Sequence, residues 1–350
     1  MTQNLASKSR AQLLEELFPD GVPVLWCPLL THYDSEGRID AARMARHFEH
    51  LSPHVRGFLV PGSTGDGWDL TEAEEQRVLE IALEQTAKFR GRLLIGILRA
   101  DLGEARTRLR ALVKELLGTT RSQSSQEALA KARVCGFTIC PPKGADVSQQ
   151  EMRDQLAGFL AEGLPTALYQ LPQVTQNEIG PELAAELARE FSNFLLFKDT
   201  SGKDRVALSQ KDLDGVFMVR GAEGEYARWF KGGGGVYPGF LLSTANCFAR
   251  EFSQMLEALS AGRVEAGNRM SARLTEAIRE VFQLVSPFQE GNPFTNANKA
   301  MDHFFAYGPR AGAVPAPRLH AGIRLPIEMI RATGEILSRY GFMPAKGYLE

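Results

Sequence analysis

The chain has 350 residues, of which 40 are Lys or Arg and 42 are Asp or Glu, so its formal charge at pH 7 is −2. This balance does not provide the basic surface of a protein that binds nucleic acid or an anionic membrane. The longest nearly apolar run, residues 22–30, is far shorter than the ~20 residues that span a bilayer. The first twenty residues lack the apolar segment of a signal peptide. We therefore expect a cytoplasmic protein with neither membrane nor nucleic-acid partners.

Short apolar runs alternate with longer amphipathic segments along the first two thirds of the chain. The runs are continuous rather than alternating, which is typical of parallel strands buried on both faces. They predict strands at residues 22–30, 57–62, 92–99, 136–142, 166–172, 194–200, 216–223 and 235–240. Helical periodicity predicts helices at residues 40–51, 71–89, 104–117, 125–133, 148–161, 181–191, 204–211 and 225–231. Thr71 and Glu74 form a capping box that marks the start of the second helix.

Eight strand–helix units fit a closed barrel better than a doubly wound sheet, which usually has five or six strands. The remaining residues show no strand pattern, and they predict helices at 247–260, 263–285, 296–306 and 325–340. We therefore predict an α/β protein, a TIM (β/α)8 barrel with a C-terminal helical region. The expected boundaries are an N-terminal extension at 1–20, a catalytic barrel at 21–245 and the helical region at 246–350.

In such a barrel the chemistry takes place where the strands end at their carboxyl side. The second predicted strand ends in Gly62, Ser63 and Thr64, followed by two more glycines. Backbone N–H groups and two hydroxyls in such a turn can hold a carboxylate or a phosphate. The same residues also suit a plain turn between strand and helix.

The sixth predicted strand ends in Lys198 after three apolar residues. Burial lowers the pKa of an amine, and an unprotonated lysine is a nucleophile for a carbonyl carbon. Tyr169 stands at the end of the fifth strand, one strand–helix–strand unit away, so the two side chains should lie side by side. A phenol there can move protons to and from a lysine adduct. A lysine that reaches solvent or pairs with Asp199, and a tyrosine that only packs, are the alternatives.

Three other patterns carry less weight. His47, His50 and His54 have helical spacing, but Pro53 ends the helix, and a solvated helix surface is a better interpretation than a metal site. The run of glycines at 232–235 precedes a strand and therefore does not match a nucleotide-binding loop. The four cysteines have no paired spacing typical of disulfides or zinc, and core packing is the expected role for the two near strand ends, Cys27 and Cys140.

The three strand ends together resemble the dihydrodipicolinate synthase/N-acetylneuraminate lyase family of class I aldolases. The resembling segments are residues 57–74, 167–172 and 195–202, with weaker similarity at 24–40, 221–236 and 291–300. The resemblance implies a TIM barrel that assembles as a homo-oligomer, a dimer or more usually a tetramer. It also implies an enzyme that needs no cofactor and no metal.

By the same resemblance, Lys198 forms a Schiff base with the keto carbon of a 2-oxo acid, and Tyr169 is the general acid and base. The carboxylate of the substrate is bound by Ser63 and Thr64 in the turn that Gly62 begins. Thr200 and Glu223 stand where the sugar-acid lyases place polar groups near substrate hydroxyls.

Two departures bear on the substrate. The stretch 138–143, which ends in Lys143, lacks the tyrosine that the synthases place after their fourth strand, and Val174 replaces the arginine that meets the semialdehyde carboxylate. We therefore expect a Schiff-base lyase or aldolase, or a dehydratase, that acts on pyruvate or a hydroxylated 2-oxo acid. The alternatives are a dihydrodipicolinate synthase that condenses pyruvate with aspartate semialdehyde, and a non-catalytic paralogue that binds a 2-oxo acid.

Overall fold

The computed structural model describes residues 8–350. Each of eight parallel strands pairs with the next strand in the chain, and the eighth pairs with the first, so the sheet closes into a barrel. The strands are β1 (Leu25–Pro28), β2 (Gly57–Val60), β3 (Arg92–Gly96), β4 (Val134–Ile139), β5 (Thr166–Gln170), β6 (Phe194–Asp199), β7 (Phe217–Arg220) and β8 (Gly239–Leu241). Every strand overlaps its predicted run, and the predicted TIM barrel is confirmed.

Helices surround the barrel and continue beyond it. The helices are α1 (Arg10–Leu17), α2 (Ala41–Leu51), α3 (Glu72–Phe89), α4 (Leu102–Thr120), α5 (Ser125–Ala132), α6 (Gln149–Leu160), α7 (Pro172–Thr175), α8 (Pro181–Glu190), α9 (Arg205–Leu208), α10 (Tyr226–Trp229), α11 (Ala245–Ser260), α12 (Val264–Val285), α13 (Pro293–Tyr307) and α14 (Ile327–Arg339). The last four form the C-terminal helical region that the sequence predicts. Among residues 8–350, no helix is both long and apolar enough to cross a membrane.

The strands bury both faces, which explains their continuous apolar runs. Side chains on the inner face fill the barrel, and those on the outer face pack under the helices. The inner layer contains Trp26, Leu59, Leu94, Cys135, Ala167, Leu196, Val219 and Leu241, all buried. Because these side chains fill the lower part of the barrel, the open space for a ligand lies above them, at the carboxyl ends of the strands.

Two helices were not predicted. The first, α1, lies in the N-terminal extension, part of which (residues 1–7) falls outside the described residues. Its Arg10 donates hydrogen bonds to the carbonyl oxygens of Phe194 (2.7 Å) and Phe191 (2.8 Å), which attaches the extension to the amino end of β6. The second, α7, is a single turn that begins with a proline directly after β5.

Candidate functional site

Lys198 and Tyr169 lie side by side at the carboxyl ends of neighbouring strands. Tyr169 on β5 pairs in register with Lys198 on β6. Each stands two residues after an inner-layer residue, Ala167 and Leu196 respectively, and side chains two apart in a strand point to the same face. The Nζ atom of Lys198 lies 3.8 Å from the centre of the Tyr169 ring. The predicted juxtaposition of amine and phenol is therefore present.

The Lys198 amine is buried without a carboxylate in direct contact. Its side chain is 4% exposed, and none of the ion pairs among residues 8–350 includes it. Burial lowers the pKa of Lys198 from 10.5 to about 7, and the weaker influence of Cys140, Glu223 and Cys27 opposes this fall. Burial acts this way because it disfavours the charged form of an amine. A large share of the molecules therefore carries the neutral, nucleophilic amine at neutral pH.

The Tyr169 phenol is held in its protonated form. Burial raises the pKa of Tyr169 well above its usual value of 10, with Cys140 adding to the rise and Thr200 opposing it. No hydrogen bond of normal geometry joins the Thr200 Oγ1 atom to any partner among residues 8–350, although this atom is buried. A protonated phenol and the buried Thr200 hydroxyl, which lies close enough to influence the pKa of that phenol, thus both border the space next to the amine.

The turn after β2 faces the lysine from across the barrel mouth. Ser63, Thr64 and Gly65 form one turn of 3-10 helix, and its first N–H groups have no partner within the turn. The C-terminal region supports this turn: Asn292 Nδ2 donates to Ser63 Oγ (3.2 Å), and Thr295 Oγ1 donates to the Thr64 carbonyl oxygen (3.0 Å). Sequence reasoning missed both supporting residues. The weak resemblance of residues 291–300 to the family was the only signal that pointed to this segment.

A glycine provides the room that the lysine needs. A Cβ atom on Gly221, just after β7, would lie 2.4 Å from Thr200 Oγ1 and 3.0 Å from Lys198 Cε. Sequence reasoning did not single out Gly221, because its role depends on two residues of another strand. Any other residue here would push the lysine or the threonine out of place.

The cavity at Lys198 is small. It measures about 30 Å³, which holds no more than two water molecules. Its lining residues are Ser63, Thr64, Tyr169, Leu171, Lys198, Thr200, Gly221, Leu241, Ser243 and Phe294. A bound substrate therefore lies in close contact with these side chains. Phe294 is half-buried and comes from the start of α13 rather than from the barrel.

Five of the seven predicted site residues meet at this cavity, and two do not line it. Gly62 is at the base of the turn, where its carbonyl oxygen accepts bonds from the N–H groups of Gly65 and Gly67 (3.0 Å each). Glu223 lies next to the cavity and accepts bonds from Ser243 Oγ (2.7 Å) and Thr244 Oγ1 (2.7 Å), among others. Its carboxylate is thus already occupied, and it borders a neighbouring cavity of about 460 Å³. A direct role in substrate binding stays a prediction for both.

The histidine interpretation was wrong for one residue. His47 is fully buried rather than solvated, whereas His50 is exposed and His54 half-buried. His47 shares a hydrogen bond with His32 (2.9 Å), and both lie within 4 Å of the carboxylate of Asp302. The sequence pattern could not show this, because the contacts come from segments far apart in the chain.

This buried group of two histidines and one aspartate is the one cluster with the spacing of metal ligands among residues 8–350. The Asp302 carboxylate, however, already accepts hydrogen bonds from Arg43 (2.9 Å) and from Tyr348 (3.0 Å). A guanidinium at this distance repels a cation, and the donors leave the carboxylate little capacity for one. The donor set fits a hydrogen-bonded network that joins the barrel to α13 and the C-terminus better than it fits a metal.

The cysteines and the glycine run behave as expected. Cys27 and Cys140 are buried, and burial raises the pKa of both thiols. Cys140 packs with Tyr169, Leu98 and Leu171 in a small apolar cluster. The glycines at 232–235 lie in the short connection between α10 and β8, where residues 231–233 form a single 3-10 turn that leads to the strand.

Solved structures share this fold across nearly the whole chain. A variant of the 2-keto-3-deoxygluconate aldolase of Sulfolobus solfataricus superposes with a TM-score of 0.70 at 18% identity, covering 91% of this chain and 96% of that one. A prophage protein of the dihydrodipicolinic acid synthase family from E. coli K12, in complex with pyruvate, gives 0.68 at 19% identity, over 91% and 99% of the two chains. At such identities the likeness establishes the fold.

The sequence itself decides the family. The profile of the dihydrodipicolinate synthetase family matches residues 117–291, half of the chain. The 4-hydroxy-tetrahydrodipicolinate synthase of Agrobacterium fabrum is 26% identical over 272 residues, which cover 76% of this chain and 83% of that protein. An uncharacterized DapA-like lyase of Rhizobium meliloti is 27% identical over 173 residues, about half of each chain. The chain belongs to the dihydrodipicolinate synthetase family, and this membership supports a lyase.

Proposed function

We propose that this protein is a class I, Schiff-base-forming lyase or aldolase that acts on pyruvate or a hydroxylated 2-oxo acid through Lys198. The observation that carries the proposal is the Lys198 amine, buried without an ion pair among the described residues and 3.8 Å from the Tyr169 ring centre. The carboxylate-binding turn borders the same cavity. Nucleophile, proton donor and anchor for the substrate thus converge on one small space.

The reaction follows from these positions. The neutral amine of Lys198 attacks the keto carbon, and the oxygen accepts a proton from the Tyr169 phenol to give a carbinolamine. Loss of water leaves a protonated imine, which accepts the electron pair released when the bond between C3 and C4 breaks. The C4 hydroxyl then becomes the carbonyl of the departing aldehyde, and its proton passes to the phenolate. Protonation of the enamine at C3 and hydrolysis of the imine release pyruvate and restore the amine.

The turn at Ser63 and Thr64 orients the substrate during these steps. Its N–H groups and hydroxyls suit a carboxylate, since hydrogen bonds to an ionised acceptor are about twice as strong as neutral ones. Ser63 accepts a bond from Asn292, so its own hydroxyl proton remains available for the substrate. A fixed carboxylate places the keto carbon over the amine. The attack of the amine then becomes effectively unimolecular, which lowers the entropic part of its barrier.

The residues around the cavity favour a hydroxylated substrate over aspartate semialdehyde, which would bring a second carboxylate into the site beside that of pyruvate. Val174, which replaces the synthase arginine, packs in the apolar cluster with Tyr169 and Leu171, together with Trp68. A second carboxylate would meet carbon atoms there, whereas the unsatisfied Thr200 hydroxyl suits a substrate hydroxyl. The synthase function remains the second candidate, because several curated relatives are synthases. A non-catalytic 2-oxo-acid-binding protein is the third, because the stretch 138–143 lacks the second tyrosine of the synthases.

Borohydride trapping with pyruvate tests the proposal. We expect a pyruvate-sized mass increase on the intact protein, mapped to the peptide that contains Lys198. The adduct should be absent from Lys198→Ala and present in Lys203→Ala, which removes an exposed lysine from the following loop. Failure to trap pyruvate or any larger 2-oxo acid on a folded protein would refute the Schiff-base mechanism.

A second assay separates the enzyme candidates. Retro-aldol cleavage of 2-oxo-3-deoxy sugar acids, followed by coupled detection of pyruvate, is expected to show turnover. Condensation of pyruvate with aspartate semialdehyde is expected to show little. Efficient turnover with the semialdehyde would overturn the argument from Val174, and binding without turnover of any of these compounds would identify the non-catalytic paralogue.

A further inference from the structure

A large cavity lies at the opposite end of the barrel from Lys198. It measures about 1090 Å³ and is lined by the segments that precede β1, β2, β3 and β4, together with one side of α11. Four arginines line it: Arg56, Arg90, Arg92 and Arg133. In a TIM barrel this end normally contributes to stability rather than to catalysis. A cluster of four guanidinium groups there is not required by the chemistry at Lys198.

Three of the arginines stand close together where three adjacent strands begin. Each stands at the amino end of one of three adjacent strands, β2, β3 and β4. The Arg92 N–H donates to the carbonyl oxygen of Arg56 (2.7 Å), and the Leu93 N–H donates to that of Arg133 (3.0 Å). The register pairs Leu93 with Val134, so the residues before them, Arg92 and Arg133, lie side by side at about the 4.8 Å spacing of neighbouring strands, whereas Arg92 pairs with Gly57 and Arg56 is offset by one residue. The sheet therefore forces like charges together.

The protein satisfies only part of this cluster. Arg133 donates to the carbonyl oxygens of Gly91 and Arg90 (2.9 Å each), and Arg56 donates to that of Phe89 (3.3 Å), so both cap the carboxyl end of α3. The side chains of Arg90 and Arg92 make neither a hydrogen bond nor an ion pair with any residue in 8–350. Each of these two guanidinium groups thus keeps all five of its N–H donors available.

The positive charge of the cavity is not balanced. Asp20 and Glu257 are the only acidic residues that line it within the described part of the chain, against four arginines. The first seven residues of the sequence contain no Asp or Glu. Burial and then the neighbouring Arg92 and Arg90 lower the pKa of Arg133. Because an arginine does not lose its proton in a protein, an anion is the remaining way to relieve the repulsion.

We propose that this cavity is a binding site for a small phosphorylated molecule with two or more negative charges, such as an organic diphosphate. The planar fork of a guanidinium matches two phosphate oxygens at once. The volume is slightly above the usual range of about 300–1,000 Å³ for small-molecule sites, so the cavity has room for such a molecule. Val22, Val24 and Leu256 supply an apolar wall for the organic part. The overall charge of −2 disfavours a long polyanion such as DNA.

Inorganic pyrophosphate is the probe for the test. Isothermal titration calorimetry and thermal unfolding of the full chain measure binding at low salt. The variants are Arg90→Gln and Arg92→Gln, chosen because neither side chain supports the fold through a bond to the described residues. The matched control is Arg121→Gln. Arg121 (φ 50°) and Arg90 (φ 56°) are both exposed, and each follows a helix in the left-handed conformation. Arg121, however, does not line the cavity.

We expect pyrophosphate to bind and to raise the unfolding temperature of the wild-type protein. Each cavity variant should weaken binding about tenfold, as expected for one lost charge-assisted contact, and the control should leave it unchanged. The affinity should also fall as the salt concentration rises. The absence of binding up to 10 mM pyrophosphate, roughly the weakest affinity of interest, would refute the proposal. Equal pyrophosphate binding by all variants would refute it as well. So would a protein that binds duplex DNA but does not bind pyrophosphate.

Discussion

Replacing Lys198 by methionine should stabilise the protein at neutral pH. Methionine has nearly the length and shape of the lysine side chain but no charge to bury. The pKa of Lys198 is about 7 in the folded protein, against 10.5 for an ordinary lysine. A difference of this size means that the folded state loses about 5 kcal/mol of stability below pH 7, because one pKa unit corresponds to about 1.36 kcal/mol. The variant does not incur this cost.

The effect has a defined dependence on pH. Below pH 7 the lysine is protonated in both the folded and unfolded states, so the full cost is present. Between pH 7 and 10.5 the unfolded chain binds a proton that the folded protein does not, and the free energy of unfolding of the wild type rises with pH. Lys198→Met lacks this titration. The gap between variant and wild type should therefore be largest near pH 6.5 and should close toward pH 10.5.

Urea unfolding at pH 6.5, 8.5 and 10, at one protein concentration, measures this gap. The matched control is Lys299→Met, because Lys299 is equally buried but has a partner, Asp66 Oδ2 at 3.1 Å. Removing it leaves a buried carboxylate without its cation, which should destabilise the protein by about 3–5 kcal/mol. If Lys198→Met were less stable than wild type at pH 6.5, or if the gap did not change with pH, the reasoning about the buried amine would be refuted.

Three further predictions concern the reaction. The initial rate of borohydride trapping with pyruvate should rise between pH 5.5 and 8.5 with a midpoint near the pKa of about 7 of Lys198, and a midpoint above 9 would contradict the burial argument. Tyr169→Phe should still bind pyruvate in a calorimeter but should slow imine formation in stopped flow by roughly 10²–10⁴-fold, the usual effect of losing a general acid; an unchanged rate would assign the proton transfer to another group. Gly221→Ala should slow trapping, whereas Gly118→Ala, where a Cβ meets nothing within 4 Å, should not; equal rates would mean that the lysine tolerates displacement.

The centre of the site was predictable because it follows from strand periodicity. Lys198 and Tyr169 end apolar runs, and the alternation of side chains places both on the inner face above Leu196 and Ala167. The same local pattern placed Ser63 and Thr64 at the turn after β2. These residues share a cavity because the carboxyl ends of all eight strands meet at one end of a closed barrel.

The supporting residues could not be found this way. Asn292 and Thr295 reach the turn at Ser63 from α13, more than 200 residues away in the chain. His47 shares the inward face of α2 with Met44, Phe48 and Leu51, so its spacing agrees with burial, but the spacing does not reveal its contacts with Asn246 and Asp302 from the C-terminal region. Periodicity shows which side of a helix or strand faces inward. It does not show which residues from distant parts of the chain contact that side.

Both ends of the barrel bury or crowd positive charge, and the residue type decides the outcome. At the carboxyl end, the desolvated Lys198 can lose its proton, so burial produces a neutral nucleophile that needs no counter-ion. At the amino end, the adjacent Arg92 and Arg133 cannot respond in this way, because a guanidinium keeps its proton even under repulsion. The lysine end is therefore suited to covalent chemistry with a carbonyl, and the arginine end is suited to an anion that the chain itself does not supply.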